Sequence, residues 1–323
     1  MKKFKGNFSN NIKKNIRRIL WFTIFTLFLS FFPSSNIYLQ SVPKTGGIVL
    51  SADLDLPPSP PYPVNYTGIV APFVSAQGVY ISDLTSGATL YKKNEKIRFS
   101  PASTTKIFTA WVALKHYDLN DVLTVKTVVN SGRNMGLYQG EKLTVESLLY
   151  GALVHSANDA AYTLAENYPG GVTKFIEKMN ETAAEMKLTD TRFTNPIGFD
   201  DTQHYTTAVD LAKQAQIALS DMTFAKIVAT RGITVSDISF SSFHDLTNVN
   251  QLLGKISGVA GVKTGQTQFG GEILVAEVKK NGRSVLFVLL KSLDRFSETV
   301  ALIDWVFGNF VWLEVSEIIP TIH

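Results

Sequence analysis

Two strand–turn–strand patterns near opposite ends of the chain are the features that most constrain its fold. In the first, GVYISDL (residues 78–84) alternates apolar and polar side chains, and a turn at Thr85-Ser-Gly87 separates it from ATLYKKN (88–94). In the second, EILVAEVKK (272–280) and RSVLFVLLK (283–291) flank an Asn-Gly pair, which suits a two-residue hairpin turn. Each pattern predicts a pair of antiparallel strands.

Helical patterns fill most of the chain between the two hairpins. Apolar residues recur at helical spacing over about residues 101–116, 144–186 and 207–219, and a further helix is predicted at 294–309. The second of these stretches breaks near Ser156 and at a Gly-Gly pair, which predicts three helices there. Strands at both ends with helices between them predict an α+β fold. It would contain an antiparallel sheet of about five strands, flanked by helices, with an inserted helical lobe.

The amino terminus has the charge pattern of an export signal. Residues 1–18 carry seven Lys or Arg and no acid, and the fourteen residues Ile19–Phe32 carry no charge. Fourteen residues are fewer than the roughly 20 that span a bilayer, but an uncharged run continues to Leu39. No A-x-A-like cleavage site follows. We therefore expect residues 1–40 to form a cytoplasmic basic tail and a signal anchor, with a cleaved signal peptide as the alternative.

The charge balance of the remaining chain argues against a nucleic-acid partner. The chain has 31 Lys and Arg against 27 Asp and Glu, and the seven cations of the leader more than account for this excess. The rest is mildly acidic, so we expect no nucleic-acid binding. None of the five histidines lies in a pattern typical of a zinc site.

Prolines cluster between the leader and the first predicted strand. Residues 41–75 hold seven of the twelve prolines, including PPSPPYP at 57–63. This composition predicts an extended linker over residues 41–74 that could hold a domain away from a membrane, and a disordered leader without a spacing role is the alternative. The globular domain is then expected at residues 75–309, followed by a tail at 310–323.

The start of the first long helix, ASTTKIFTA, places a serine and a lysine three residues apart. Ser100 is a candidate N-cap and Pro101 suits the first helical position, so Ser103 would lie in the first turn, near unpaired backbone N–H groups. Lys106 would lie on the same face and could take the hydroxyl proton if its pKa were lowered. A solvated helix face is the alternative, because the same spacing recurs in the linker at Ser41-Val-Pro-Lys44.

Two further polar motifs follow on later elements. Ser156-Ala-Asn158 lies at a predicted helix junction, where a hydroxyl and an amide could relay a proton and bind a peptide group. A helix cap is the alternative there. Lys263-Thr-Gly265 lies just before the second hairpin, where an ammonium and a hydroxyl would attract a carboxylate and the glycine would allow close approach. A solvated strand end is the alternative for this motif.

The three motifs in this order, about 50 and 105 residues apart, form a specific pattern. Together with PASTTKIFTA, NPIGFDDTQHYTTAVDLA (195–212) and GVKTGQTQFGGEILVA (262–276), they resemble the D-alanyl-D-alanine carboxypeptidases, low-molecular-mass penicillin-binding proteins of peptidase family S11. The resemblance covers about residues 75–309. It implies the β-lactamase/transpeptidase-like fold of the penicillin-recognising serine enzymes.

The resemblance also implies a role for each motif residue. Ser103 would be the acylated nucleophile, Lys106 its base, and Ser156 the relay of a proton to the leaving amine. The backbone N–H groups of Ser103 and Gln266 would form the oxyanion hole. Asn158 would hold the substrate's peptide amide and Thr264 its terminal carboxylate. Lys263 would keep the site electropositive and support the proton path of Ser156. The residues implied for substrate binding are Asn158, Lys263, Thr264, Gly265 and Gln266.

The reaction implied is the removal of the last D-alanine from a peptidoglycan stem peptide through an acyl-enzyme, without a cofactor or metal. β-Lactams would be covalent inhibitors, because they acylate the same serine. The expected location is the outer face of a bacterial cell membrane, through the amino-terminal segment, or the periplasm or cell wall. No partner other than the stem peptide and the membrane is implied.

Some departures and alternatives remain open. Asn195-Pro-Ile-Gly-Phe199 has Phe where the family usually has Leu, and Lys291-Ser-Leu-Asp-Arg295 matches the family only loosely, which leaves the role of Arg295 open. The β-rich carboxy-terminal domain of many members is not expected in residues 310–323. A class A β-lactamase would need a Glu-x-x-Leu-Asn element between Asn158 and Lys263, and none is present. An endopeptidase of cross-links would use the same residues, and a non-catalytic wall-binding protein would show a damaged motif.

Overall fold

The structure, a computed structural model, describes residues 6–30 and 59–314. The chain divides into two compact units, Met1–Pro57 and Pro58–His323. In the first unit, helix α1 covers Gly6–Ser30 and contains most of the uncharged run. Within the described part of the chain, no helix combines the length and the hydropathy needed to cross a membrane. The predicted continuation of the run to Leu39 lies outside the described residues.

The second unit contains all the other described elements. Its strands are β1 (Tyr62–Asn65), β2 (Gly78–Asp83), β3 (Thr89–Lys93), β4 (Val122–Thr124), β5 (Lys142–Thr144), β6 (Gly232–Ser236), β7 (Phe243–Thr247), β8 (Val259–Thr267), β9 (Gly271–Lys280), β10 (Arg283–Ser292) and β11 (Phe310–Leu313). Its α-helices are α2 (Thr105–Leu114), α3 (Val145–Leu153), α4 (Asn158–Glu166), α5 (Gly171–Glu185), α6 (Ala208–Leu219), α7 (Met222–Val228) and α8 (Arg295–Asn309).

Five strands form a central antiparallel sheet in the order β3-β2-β10-β9-β8. Strands from the two ends of the domain are neighbours, because β2 pairs with β10, with Ile81 opposite Phe287. Asn281 and Gly282, between β9 and β10, both have positive φ, as a type I′ turn requires. The predicted α+β fold, the two hairpins and the number of strands are confirmed.

Strand β10 has an uninterrupted apolar run because helices cover both faces of the sheet at this strand. Leu286, Val288 and Leu290 belong to a core cluster that includes residues of α2 and α6. Phe287 and Leu289, which alternate with them, belong to a second cluster that includes residues of α8. Both faces of the central strand are therefore covered, and no alternation of apolar and polar side chains is needed.

The helical lobe contains α3, α4 and α5, as the sequence predicts for residues 144–186. Thr144 caps α3 by accepting a hydrogen bond from the backbone N–H of Ser147. Short elements were not predicted: the β4–β5 and β6–β7 pairs and helix α7 lie in stretches without a long periodic pattern. The gap between α3 and α4 falls at Ser156, so the lobe presents this residue at a helix junction.

Regular structure extends beyond both ends of the range predicted for the globular domain, residues 75–309. Strand β1 lies within the predicted linker, and β11 lies within the predicted tail. The two strands pair in an antiparallel register, with Tyr62 opposite Leu313 and Asn65 opposite Phe310. A proline, Pro63, is compatible with this strand because a two-stranded sheet leaves each strand one free edge. Residues 31–58 and 315–323, which include residues 41–58 of the predicted linker and most of the predicted tail, lie outside the described residues.

Candidate active site

Ser103 lies in a 3₁₀ turn, Ala102–Thr104, and not in the first turn of an α-helix as predicted. Helix α2 begins only at Thr105. The predicted N-cap role of Ser100 is also wrong: its hydroxyl donates to Asp200 Oδ1 at 2.7 Å, and no side chain caps the turn. Ala102 has φ 48°, a conformation that is unfavourable for a residue with a Cβ. The nucleophile candidate is thus presented by a strained turn.

Lys106 is fully buried and points at Ser103. Its Nζ donates to Ser103 Oγ at 3.0 Å and to the carbonyl oxygen of Ile197 at 2.8 Å. Burial lowers the pKa of Lys106 to about 7, although the nearby carboxylate of Asp159 acts in the opposite direction. A lysine with this pKa is partly neutral near pH 7, so it can accept the proton of the Ser103 hydroxyl. The alternative of a solvated helix face is excluded.

A cavity of about 360 Å³ opens beside Ser103. Of the eight residues predicted for the site, six line this cavity, and the other two, Lys106 and Lys263, are buried. The lining comes from the 3₁₀ turn, the α3–α4 junction, β8 and several loops. Its residues are Ser103, Gly132, Arg133, Ser156, Asn158, Ile197, Gly198, Phe199, Val249, Thr264, Gly265, Gln266, Thr267 and Arg295.

The Ser156-Ala-Asn158 motif does not act as a helix cap. Ala157 occupies the N-cap position of α4 and makes no side-chain cap bond, while Ser156 has φ 62°. The side chain of Asn158 donates from Nδ2 to the carbonyl oxygen of Ser131 at 2.9 Å. This bond fixes the orientation of the amide, and the described residues supply no donor to its Oδ1. Asn158 can therefore accept a hydrogen bond from a ligand in the cavity.

Asp159, the next residue, was not predicted to take part in the site. Its buried carboxylate accepts hydrogen bonds from the backbone N–H groups of Met135, Gly136 and Leu137, at 3.0–3.1 Å. These bonds fix the loop that brings Arg133 to the cavity. In the sequence, an aspartate in the first turn of a helix is ordinary, because it suits the helix dipole. No signal in the sequence distinguishes this one.

The Lys263-Thr-Gly265 motif lies on β8, an edge strand of the central sheet. Lys263 is 2% exposed and donates from Nζ to the carbonyl oxygen of Thr264 at 3.1 Å, so a solvated strand end is excluded. Burial, together with the charges of Lys106, Arg295 and Arg133, holds the pKa of Lys263 well below its usual range. Thr264 and Gly265 line the cavity next to it.

Arg295, whose role the sequence left open, lies at the cavity beside β8. Its Nη1 donates to the carbonyl oxygen of Gly265 at 2.7 Å, and its buried Nε has no partner among the described residues. Burial lowers the pKa of the Arg295 guanidinium, and the negative charge of Glu272 raises it. Because the ordinary pKa of arginine is very high, the group stays charged. Arg133 adds a second guanidinium to the lining. The cavity therefore suits a carboxylate ligand.

The segment Asn195–Phe199, which the sequence marked only as part of a family block, contributes Ile197, Gly198 and Phe199 to the lining of the cavity. Asn195 Oδ1 accepts hydrogen bonds from the backbone N–H groups of Ile197, Gly198 and Phe199, at 2.7–3.3 Å. A Cβ at Gly198 would overlap the carbonyl oxygen of Ala102, so glycine is required for this segment to reach the Ser103 turn. Phe199, the departure from the family pattern, is partly exposed on the wall.

Comparison with known families shows which family the chain belongs to. The family profile of peptidase S11, D-alanyl-D-alanine carboxypeptidase, matches residues 66–293. The chain belongs to this family. This S11 peptidase is 33% identical over 270 residues to a D-alanyl-D-alanine carboxypeptidase of Streptomyces sp. strain K15, covering 78% of this chain and 90% of the relative. It is 31% identical to DacF of Bacillus subtilis over 245 residues, which cover 73% of this chain and 63% of DacF.

Solved structures agree with the family. The S11 peptidase superposes on the crystal structure of the Streptomyces K15 DD-transpeptidase with a TM-score of 0.70 and 33% identity, over 74% of this chain and all of that one. It superposes equally well, at 29% identity, on an evolved putative penicillin-binding protein homologue, Rv2911 from Mycobacterium tuberculosis, over 76% of this chain and 96% of the homologue. The predicted family and its penicillin-recognising fold are confirmed.

Proposed function

We propose that this S11 peptidase is a serine D-Ala-D-Ala carboxypeptidase that removes the terminal D-alanine of peptidoglycan stem peptides. The observation that carries the proposal is the contact between Lys106 Nζ and Ser103 Oγ, 3.0 Å apart at the cavity. A serine hydroxyl becomes a nucleophile only when a base takes its proton, and a buried lysine with a pKa of about 7 is such a base.

The acylation step follows from these groups. Neutral Lys106 accepts the Ser103 proton while Oγ attacks the carbonyl carbon of the penultimate D-alanine. The backbone N–H groups of Ser103 and Gln266 would stabilise the oxyanion. The tetrahedral intermediate collapses when the bond to the terminal D-alanine breaks, and its nitrogen takes a proton through Ser156. Water then attacks the Ser103 ester, which releases the shortened peptide and restores the hydroxyl.

The binding groups suit a peptide that ends in a carboxylate. Thr264 and Arg295, with Lys263 behind them, would hold the carboxylate of the terminal D-alanine, because hydroxyl and guanidinium donors bind such a group well. Asn158 Oδ1 would accept the N–H of the peptide. Since β8 is an edge strand, its free side can pair with an extended substrate as an added strand.

Labelling with a fluorescent penicillin tests the proposal. The wild-type chain should acquire the label and release D-alanine from a pentapeptide ending in D-Ala-D-Ala, and Ser103→Ala should do neither. Ser220→Ala, which changes an exposed serine at the end of α6, is the matched control and should behave as the wild type. Equal labelling of wild type and Ser103→Ala, or labelling of neither, would show that the mechanism is wrong.

Two other activities would use the same acyl-enzyme. In a transpeptidase an amine attacks the Ser103 ester in place of water, and in an endopeptidase the acyl-enzyme forms from a cross-linked dimer. Similar proteins are described as a DD-transpeptidase, from Streptomyces K15, and as a D-alanyl-D-alanine endopeptidase, from Pseudomonas aeruginosa at 28% identity. Product analysis separates these activities. Tetrapeptide alone indicates the carboxypeptidase, an amide with an added amine acceptor indicates the transpeptidase, and monomers released from dimers indicate the endopeptidase.

We also infer that the reaction takes place outside the cytoplasm, where peptidoglycan lies. Residues 1–40 would then hold the domain at the outer face of the cell membrane, with the predicted linker of residues 41–74 as the connection. Cell fractionation tests this: the full chain should sediment with membranes, and a chain lacking residues 1–40 behind a cleavable signal should not. Recovery of both in the soluble fraction would contradict the anchor.

A further inference from the structure

The carboxylate of Asp200 joins two other segments of the chain, one at Ser100 and one at the β8–β9 turn. Its Oδ1 accepts hydrogen bonds from Ser100 Oγ and from Thr267 Oγ1, both at 2.7 Å. Its Oδ2 accepts a hydrogen bond from the backbone N–H of Phe269 at 3.0 Å. Asp200 itself is not among the residues that line the cavity.

The segments joined by Asp200 carry the two N–H groups assigned to the oxyanion hole. Ser100 precedes Ser103 by three residues, and Thr267, the last residue of β8, directly follows Gln266. The two segments touch at Gly265, where a Cβ would lie only 3.2 Å from the Ser103 nitrogen. Such a contact prevents the segments from moving closer. A shared hydrogen-bond acceptor prevents them from moving apart.

Asp200 is itself held in place by the segment before it. Ile197 O accepts the hydrogen bond from Lys106, and Gly198 packs directly against the carbonyl group of Ala102. The position of Asp200 is therefore tied to the Ser103 turn on one side and, through Thr267 and Phe269, to the β8–β9 turn on the other. The carboxylate thus links the segment that leads to Ser103 with the segment that follows Gln266.

A carboxylate is the side-chain group that suits this position. Two oxygens without hydrogens can accept three hydrogen bonds at once, whereas an amide would direct donors at one of the three partners. Burial on its own would raise the pKa of Asp200, but the hydrogen bonds from Ser100, Thr267 and Phe269 hold it below its ordinary value. Asp200 is thus ionised near neutral pH, and charge-assisted bonds of this kind are strong.

We propose that Asp200 is a positioning residue that fixes the separation of the Ser103 and Gln266 backbone N–H groups, and so controls the rate of acylation. The inference rests on the proposed function, because it presupposes acylation of Ser103. Donors of an oxyanion hole act only when they are preorganised, and losing one donor lowers the rate by roughly 10²–10³-fold. A displaced donor should therefore lower the rate of acylation, while ligand binding before the reaction is retained.

The test measures fluorescent-penicillin acylation of the full chain over time at several penicillin concentrations, which separates the non-covalent dissociation constant from the first-order acylation rate. In Asp200→Ala we expect the rate to fall about 30- to 100-fold, with the dissociation constant changed less than about threefold. Asp200→Asn should lose less, because it keeps an acceptor for Ser100 and Thr267. Asp201→Asn, a change at the adjacent carboxylate, is the matched control and should leave both constants unchanged.

The outcomes separate this inference from the proposed function. Labelling of the wild type that Ser103→Ala abolishes supports the proposed function whatever Asp200 does. If the wild type is labelled and Asp200→Ala reacts at the same first-order rate, the positioning role is wrong. A weaker dissociation constant with an unchanged rate overturns it as well. If Asp200→Ala does not fold, Asp200→Asn and Ser100→Ala decide the matter: a lower rate in both supports the role, and wild-type rates overturn it.

Discussion

At the scale of single residues, two buried lysines distinguish this site from an ordinary surface Ser-x-x-Lys pair. Lys106 and Lys263 are both almost without solvent contact, and neither forms an ion pair with a carboxylate of the described residues. Holding an ammonium group in such surroundings is unfavourable, so the environment lowers the pKa of each. With a pKa lowered to about 7, Lys106 presents a partly neutral amine to the Ser103 hydroxyl near pH 7.

The rate of acylation should depend on pH through Lys106. Because burial lowers its pKa to about 7, the neutral fraction increases as the pH rises from about 6 to about 8, and the labelling rate should increase with it. Lys106→Arg keeps a charge that is not lost in this range, so it should lower the rate at least about 100-fold at every pH. Timed labelling at several pH values measures both effects. A wild-type rate that is constant over this range would contradict the role of Lys106 as base.

Hydrolysis of the penicilloyl ester should be slow. None of the described residues that line the cavity has a carboxylate, so no general base of the β-lactamase type is present to activate water beside the ester. We expect intact-protein mass spectrometry to find the Ser103 adduct long after free penicillin is removed. Rapid turnover of a chromogenic cephalosporin by the purified domain would refute this expectation.

At the scale of elements, the loop between β4 and β5 is held by side chains and not by regular structure. Asp159, on α4, accepts three of its backbone N–H groups. From the β6–β7 hairpin, His244 contacts the carbonyl oxygen of Met135 at 3.0 Å and Glu141 Oε1 at 2.7 Å. The loop that carries Arg133 to the cavity is thus fixed by two neighbouring elements.

Removing the Asp159 carboxylate should disturb both stability and activity. Asp159→Ala leaves three backbone N–H groups without their acceptor, so we expect the free energy of unfolding to fall by about 2–4 kcal/mol. The acylation rate should fall too, because the loop also fixes Asn158. Asp237→Ala is the matched control: Asp237 accepts from the N–H groups of Ser239, Ser241 and Ser242 in the β6–β7 turn. Urea unfolding and penicillin labelling should show a loss of stability without a loss of rate in the control.

The elements that the sequence predicted correctly have a local signature, and so do the motif residues that the fold brings to the cavity or next to it. Hairpins and long helices carry a periodic pattern, and the motif residues carry a fixed spacing. The β4–β5 and β6–β7 pairs are too short to show a period, and their residues are mixed in polarity. Asp159, Asp200 and Arg295 escaped prediction for another reason. Asp159 and Arg295 bond backbone groups, and Asp200 bonds two side-chain hydroxyls and a backbone N–H. All these partners are more than twenty residues away, so only the folded chain brings them together.

At the scale of the whole domain, the pairing of β1 with β11 forms a two-stranded ribbon that joins the two ends of the described part, residues 59–314. Deleting residues 59–65 from a fragment of residues 59–314 removes β1, and we expect the melting temperature to fall by about 4–8 °C, for a loss of about 2 kcal/mol. Deleting residues 310–314 removes the same pairing from the other side. The double deletion should lower the melting temperature only slightly more than the single deletion with the larger effect, because both deletions remove the same strand pairing. Additive losses in calorimetry would contradict this coupling.

The same ribbon determines how the domain responds to force. Tyr62 and Leu313 face each other at its open end, so the chain enters and leaves the domain at neighbouring points. When only one end of the domain is tethered, a pull on the tether moves the whole domain and applies no force between β1 and β11. A pull between the two ends would separate the strands like a zipper, one pair after another from Tyr62 and Leu313 towards Asn65 and Phe310. This geometry yields at lower force than sliding the strands past each other, so the ribbon should open before the sheet that supports Lys263 is loaded.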